Sequence, residues 1–249
     1  MCRHLAYVGP RVALHHLLFG EPHALAAMAQ QPQHQHPPED NRDGFGVGWY
    51  VPGATVPSRY VSLDPIWTDD EFATESQAIE SGGVMAAART ASPGAAIELT
   101  GNAPFESGQW LFSLNGRVDG FYDGLGDELR AALGDHWHDE FDGDADTEVL
   151  FAMVLDRLDD GASPLDAVTG VVVALMARTT GRFNLLLSDG TQLVATRSAN
   201  SLFACATDDA VCIASEPLSD DGGWREVPDN SIVDARPGSL TITPLEDPA

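Results

Sequence analysis

Lysine is absent from this sequence: all 13 basic residues are arginines, set against 38 acidic residues, for a formal net charge of −25. Nucleic-acid affinity comes largely from Lys and Arg neutralising phosphates, so a chain this poor in cations is not expected to bind nucleic acid. The acid excess reads as a solvated surface that keeps the protein soluble, with attraction of a cationic ligand as the other reading. Long hydrophobic runs are missing as well. The longest aliphatic run, Val171 to Leu175, falls far short of the roughly 20 apolar residues of a membrane span, so no membrane partner is expected. The opening MCRHLAYVGPR has none of the charged, apolar and small-residue order of a secretion signal, and a cytoplasmic protein is expected.

Cysteine is scarce too, at positions 2, 205 and 212. An odd number without ligand-type spacing argues against a disulfide framework and against a zinc site. Cys205 and Cys212 sit in an alternating apolar stretch and read as small core residues. The Pro/His/Gln-rich stretch over 30–43 reads as a loop, since no carboxylate or cysteine stands at fixed ligand spacing beside its histidines. Neither a metal nor a cofactor is expected. GFGVG lacks the Lys-Ser/Thr of a phosphate loop and runs into a strand, and no serine sits in a Gly-x-Ser-x-Gly elbow.

What is present is 249 residues with 43% hydrophobic content, ample for a core, and one domain over 1–249 is expected because no linker is visible. Periodicity and turn residues predict helices over 21–30, 69–80, 124–133, 146–158 and 164–178. A turn entering a strand is predicted over 43–53, and strands over 83–91 and 109–118, then over 182–188, 192–197, 202–207, 211–215, 232–235 and 239–243. Gly44, Gly46 and Gly48 alternate, which leaves one strand face bare for another backbone or a ligand. Strands, then helices, then antiparallel strands make an α+β pattern of stacked sheets with helix layers outside.

Cys2 is the residue that stands out. It follows the initiator methionine; removal of Met1 would leave a thiol beside a free α-amine, whose ordinary pKa of about 7.7–8.0 lets it take the thiol proton. Three more segments carry suitable chemistry. Arg89, ending a strand of small residues, can hold a carboxylate by two parallel bonds or pair with one of the many acids. Asn115-Gly116 can donate to an oxyanion or form a hairpin turn. Asp146, at a helix start, can bind an ammonium or cap the helix, with Thr147 and Asp144 also supplying capping chemistry.

In this order, Cys2-Arg3, DGFGVGWY (43–50), Arg89-Thr90-Ala91-Ser92, Asn102-Ala103-Pro104-Phe105, Asn115-Gly116 and Asp146-Thr147-Glu148 resemble the N-terminal-nucleophile, or class II, glutamine amidotransferase family. Ser215-Glu216-Pro217-Leu218 continues the likeness. The resemblance implies a four-layer αββα fold and attack by Cys2 on a γ-glutamyl amide. In it, Arg89 holds the α-carboxylate, Asp146 holds the α-ammonium, Asn115 with Gly116 binds the oxyanion, and Ser92 is a further substrate-binding residue. A small-molecule γ-glutamyl substrate is the implied partner.

Synthase members carry Thr-His after the arginine where Ser92-Pro93 stands here, and Asn102-Ala103-Pro104 lacks a histidine of the related run. Together with the chain length, these departures lead us to expect a free-standing hydrolase. The opening MCRHLAYVG and the GFGVGWY strand are most similar to members that cleave a γ-glutamyl conjugate with a trimethylammonium at its far end. Trp49, Tyr50, Trp110, Phe121 and Tyr122 are candidates for that cation or core aromatics. An amidase subunit handing ammonia to a separate chain is the alternative in the same family. A binding module without catalysis, with Arg89 and Asp146 as a structural ion pair, is the alternative outside it. His4, His34 and His36 read as packed or solvated.

Overall fold

The computed structural model describes residues 2–35, 38–91, 97–134, 137 and 145–245. Its opening residues, for which the sequence predicts no regular element, form the long strand β1 (Arg3–Ala13). Side chains alternate across a strand. Leu5 and Tyr7 therefore enter one apolar cluster, and Ala6 and Val8 enter another on the opposite face. A strand buried on both faces shows no polar alternation, which is why the pattern MCRHLAYVG does not announce it.

Around β1 an antiparallel sheet of seven strands assembles among the described residues. β1 lies between β10 (Val211–Ala214) and β4 (Glu80–Ala88). β4 continues to β2 (Phe45–Trp49) and β3 (Ser58–Ser62), while β10 continues to β9 (Phe203–Ala206) and β11 (Arg225–Glu226). A second antiparallel sheet runs in the order β13 (Ser239–Pro244), β12 (Ser231–Arg236), β8 (Leu193–Arg197), β7 (Gly181–Ser188), β6 (Trp110–Val118) and β5 (Phe105–Ser107).

Three apolar clusters define the layers. The first packs the short helix α1 (Leu25–Gln30), Phe72 of α2 (Asp70–Glu75) and the outer face of the first sheet. The second joins the inner faces of both sheets, with Ala6, Val8 and Met85 against Leu111, Leu186 and Ala195. The third packs α3 (Leu125–Ala131), α4 (Asp146–Asp159) and α5 (Pro164–Met176) on the outer face of the second sheet. The result is the α/β/β/α layering expected. Phe112 of β6 stacks on Phe151 of α4 with ring centroids 5.0 Å apart and planes 5° from parallel, a contact worth about 0.5–1.5 kcal/mol beyond area burial. Ser163 caps α5 by accepting from the Asp166 amide at 3.1 Å, and Pro164 occupies its first turn.

The alternating glycines of β2 serve close packing. A Cβ on Gly46 would overlap the Ala103 carbonyl oxygen, and one on Gly48 would sit 2.7 Å from Leu111 Cδ1, so the bare face admits the start of the second sheet. The predicted helix over 69–80 is shorter than expected: it ends at Glu75, and Glu80 already opens β4. The predicted helix over 21–30 likewise begins only at Leu25. Among the described residues no helix is long and apolar enough to cross a membrane.

Candidate active site

β1 pairs with β4 so that Arg3 faces Ala88, and β2 pairs with β4 so that Phe45 faces Ala88. One residue beyond that rung, Cys2, Arg89 and Gly44 share the same end of the first sheet. The Arg89 amide donates to the Gly44 carbonyl at 2.8 Å and its carbonyl accepts from the Asp43 amide at 3.0 Å. Asp43 Oδ2 accepts from the Ala91 amide at 2.8 Å, and Asn41 Nδ2 donates to Thr90 Oγ1 at 2.6 Å. The segment 41–44 therefore clamps Arg89-Thr90-Ala91 in place. A Cβ on Gly101 would collide with the Arg89 guanidinium, so glycine there lets the cation lie against the chain.

Arg3 is buried and pairs through Nε with Glu216 Oε1 at 3.1 Å, while its Nη1 donates to the Cys2 carbonyl at 3.0 Å. The Glu216 carboxylate also accepts from the Gln33 and His34 amides, at 2.8 and 3.2 Å. Burial draws the Arg3 pKa down, and the Glu216 carboxylate works against that shift. The chain directly after the nucleophile candidate is thus fixed by a buried ion pair.

A polar seam crosses between the sheets directly behind Cys2. His4 Nδ1 and Ser113 Oγ are 3.1 Å apart, and Ser215 Oγ accepts from the His4 amide at 3.0 Å. Asn115 Nδ2 reaches Ser215 Oγ at 3.3 Å, and Asn200 Nδ2 donates to the Asn115 carbonyl at 2.8 Å. Asn184 Oδ1 accepts from the amides of Ser198 and Asn200. All five of His4, Ser113, Asn115, Asn184 and Ser215 are fully buried. A buried polar group left unpaired costs about 1–3 kcal/mol, so this seam fixes one register between the two sheets. Burial, with a smaller contribution from Arg3, pushes the His4 pKa down to about 3. His4 is packed, as expected.

Asn115-Gly116 lies inside β6, so the hairpin-turn alternative does not hold. Gly116 faces Phe183 in the register, and any Cβ on it would overlap the Arg182 carbonyl oxygen. Asp146 stands at the first position of α4, where the cap residue is Ala145, whose amide donates to Glu148 Oε2 at 3.3 Å. Capping by Asp146 is therefore corrected. Its Oδ2 accepts from the Val118 amide at 2.9 Å, tying α4 to the end of the strand that carries Asn115. Burial raises the Asp146 pKa, opposed by the Val118 bond, and among the described residues its carboxylate has no cationic partner. Met1, His36, Ser92 and Asp144 lie outside the described residues. Among the described residues no cluster of three or more His, Cys, Asp or Glu could hold a metal ion. Cys212 is buried and Cys205, its cross-strand partner, is half-exposed; both are free thiols.

The description of the class-II glutamine amidotransferases matches residues 26–206. The chain belongs to this family. Among relatives of this class-II glutamine amidotransferase are the gamma-glutamyl-hercynylcysteine sulfoxide hydrolases of Mycobacterium tuberculosis and Mycolicibacterium smegmatis. The first is 33% identical over 99% of this chain and 97% of that one; the second is 34% identical over 98% and 100%. A probable glutamine amidotransferase of Saccharomyces cerevisiae is 25% identical over 99% of this chain and 85% of that one. In fold it is similar to a class-II domain protein from Silicibacter pomeroyi, with a TM-score of 0.71 and 21% identity over 98% of this chain and 100% of that one. The glutamine PRPP amidotransferase of B. subtilis gives the same TM-score at 16% identity, over 98% of this chain and 49% of that one. As a member of this family the protein is an enzyme of hydrolase or amidotransferase type.

In the sequence, Arg3 and Glu216 stand only as parts of the family resemblance, without a role, and Asn184 and Asn200 are not singled out. Two asparagines that a core position would not otherwise take were the available signal: Asn184 sits in an apolar strand, and Asn200 follows a Ser-Ala turn.

Proposed function

We propose that this enzyme hydrolyses the γ-glutamyl amide bond of γ-glutamyl-hercynylcysteine S-oxide, releasing glutamate and hercynylcysteine S-oxide, with Cys2 as nucleophile. The observation that carries this is the likeness over nearly the whole chain to proteins named for that reaction, joined to Cys2 and Arg89 sharing one sheet end. With Met1 removed, the α-amine of Cys2 takes the thiol proton and the sulfur attacks the γ-carbonyl carbon. The Asn115 amide has a second N–H beyond the one directed at Ser215, and with the Gly116 amide it receives the oxyanion.

Collapse of the tetrahedral species breaks the C–N bond. The leaving nitrogen takes the proton held by the α-amine, and a glutamyl thioester remains on Cys2. Water, deprotonated by the same amine, then releases glutamate and restores the thiol. Arg89 binds the α-carboxylate of the glutamyl group. Asp146 binds its α-ammonium, which supplies the cationic partner that this buried carboxylate lacks among the described residues. Ser92, three residues after Arg89 in sequence, is the further residue assigned to substrate binding.

Rapid quenching during turnover, followed by peptide mapping under acid conditions, tests this account. It predicts a glutamyl adduct on the peptide that begins at Cys2 and none in Cys2→Ala. An adduct elsewhere, or turnover by protein retaining Met1, contradicts it.

A further inference from the structure

A cavity of about 440 Å³ is lined by Arg3, the residue after Cys2, and by His34, Gln35, Gly181, Arg182 and Ala199 to Ser201. Two of its walls are one hydrogen bond from the chemistry. Arg3 holds the Cys2 carbonyl, and Asn200 holds the carbonyl of Asn115. The cavity is large enough for an amino-acid residue, within the roughly 300–1,000 Å³ of small-molecule sites.

Its lining is unusual in what it leaves unpaired. Arg3 Nη2, Arg182 Nε, Ser201 Oγ and both polar atoms of the Gln35 amide are buried and have no hydrogen-bond partner among the described residues. Gln35 as a whole is 3% exposed. Buried polar atoms left bare each cost about 1–3 kcal/mol, so several around one cavity call for a ligand that satisfies them. The set is donor-rich: two guanidinium N–H groups, an amide NH2 and a hydroxyl stand against one amide oxygen. Arg182 makes no ion pair among the described residues; burial together with the nearby Arg117 lowers its pKa, and the carboxylate of Asp119 only opposes that shift. That chemistry fits an anionic oxygen group, and a carboxylate in two-point contact with a guanidinium fits best.

The geometry points to this cavity as the site for the leaving half of the substrate, with Arg182 and Gln35 binding the α-carboxylate of the amino acid released from the γ-glutamyl amide. This inference rests on the γ-glutamyl reading above. An α-carboxylate lies one carbon from the scissile nitrogen, so a site lined by Arg3, the residue after Cys2, and by Asn200, hydrogen-bonded to Asn115, is placed to reach it. Glutamine and simple γ-glutamyl alkylamides have no such group, and the cavity therefore separates a γ-glutamyl-amino-acid hydrolase from a glutaminase.

Two amides that differ by this one group decide the matter: γ-glutamyl-L-alanine and γ-glutamylethylamide. The processed enzyme is assayed for glutamate release from both, alongside Arg182→Gln and Gln35→Met, with thermal melts reporting folding. The expected result is a kcat/KM preference of about tenfold or more for the alanine conjugate, carried mainly in KM, falling below about threefold in each variant. A damaged fold would slow both substrates alike and leave the ratio intact, and an unchanged ratio in both variants overturns the inference. Equal cleavage of the two amides by the unaltered enzyme overturns it while leaving the γ-glutamyl reading standing. Absence of Cys2-dependent release from either, and from γ-glutamyl-hercynylcysteine S-oxide, overturns both.

Discussion

Arg3 and Glu216 form a buried ion pair, 1% and 3% exposed with Nε and Oε1 3.1 Å apart, and the same guanidinium holds the carbonyl of Cys2. The pair joins the first residues of the chain to the segment after β10, and Glu216 also receives the backbone amides of Gln33 and His34. Breaking a buried pair from one side leaves a charge with no compensation, at about 3–5 kcal/mol. Glu216→Ala is expected to lower unfolding stability by that amount in urea titration and to reduce kcat as Cys2 loses its anchor. Glu216→Gln keeps an acceptor oxygen for one of the two amides and should lose less. Equal stability of the alanine variant and the unaltered enzyme would contradict this role.

Asp146 carries the opposite sign of effect on stability. Its folded pKa lies above the ordinary carboxylate value because burial disfavours the charge. The unfolded chain therefore ionises first, and stability falls as pH rises from the ordinary carboxylate range through the raised folded value. Asp146→Asn retains an oxygen for the Val118 amide and removes that penalty. At pH 7 its melting temperature should equal or exceed that of the unaltered enzyme, while KM for γ-glutamyl substrates rises at least about tenfold. A lower melting temperature with unchanged KM would assign Asp146 to structure alone.

Asn115 and Gly116 serve both the seam between the sheets and, in the proposed mechanism, the oxyanion. Asn115→Ala should lower kcat by about 10²–10³-fold, the usual effect of removing one oxyanion donor. It should also lower stability by about 1–3 kcal/mol, because Ser215 and Asn200 lose a partner. Gly116→Ala has no room against the Arg182 carbonyl. Parting β6 from β7 to admit the methyl should cost about 1–3 kcal/mol and displace Asn115, so a fully active alanine variant would rule out the close approach.

His4 sets an acid limit on stability. Its folded pKa of about 3 lies below the ordinary His value near 6.5, so the unfolded chain takes up a proton that the folded chain refuses. The stability contributed by a neutral His4 is complete above about pH 6.5 and is lost at about 1.4 kcal/mol per pH unit as pH falls toward 3. Proton NMR of the ring should show no titration between pH 5 and 8. A midpoint near 6.5 would contradict the burial of this side chain.

Much of the fold was legible in local pattern. The amphipathic run over 146–158, the Ser163-Pro164 start of α5 and six of the strands after residue 181 carry their own signals and lie where expected, whereas the two-residue β11 was not foreseen. β1 was not legible, because a central strand buried on both faces lacks the alternation that marks a half-buried one. At the site, Cys2, Arg89 and Asn115 stood out by residue type. Glu216, Asn184 and Asn200 did not, since their value comes from partners 14 to 213 positions away in sequence that only the packing of the two sheets brings together. The α4 cap went to Ala145 and not to an acid because Asp146 is occupied by the end of β6, a tertiary demand that no capping rule contains.

The central claim is Cys2-dependent cleavage of a γ-glutamyl amide, and glutamate release tests it most directly. Protein beginning at Cys2 is given γ-glutamyl-hercynylcysteine S-oxide and, separately, glutamine, with Cys2→Ala as control. The account predicts fast release from the sulfoxide conjugate, little from glutamine and none with the variant. Turnover of glutamine alone would keep the chemistry and move the protein to an ammonia-supplying role. Release from the conjugate that persists in Cys2→Ala, or no release from either amide, would contradict the account.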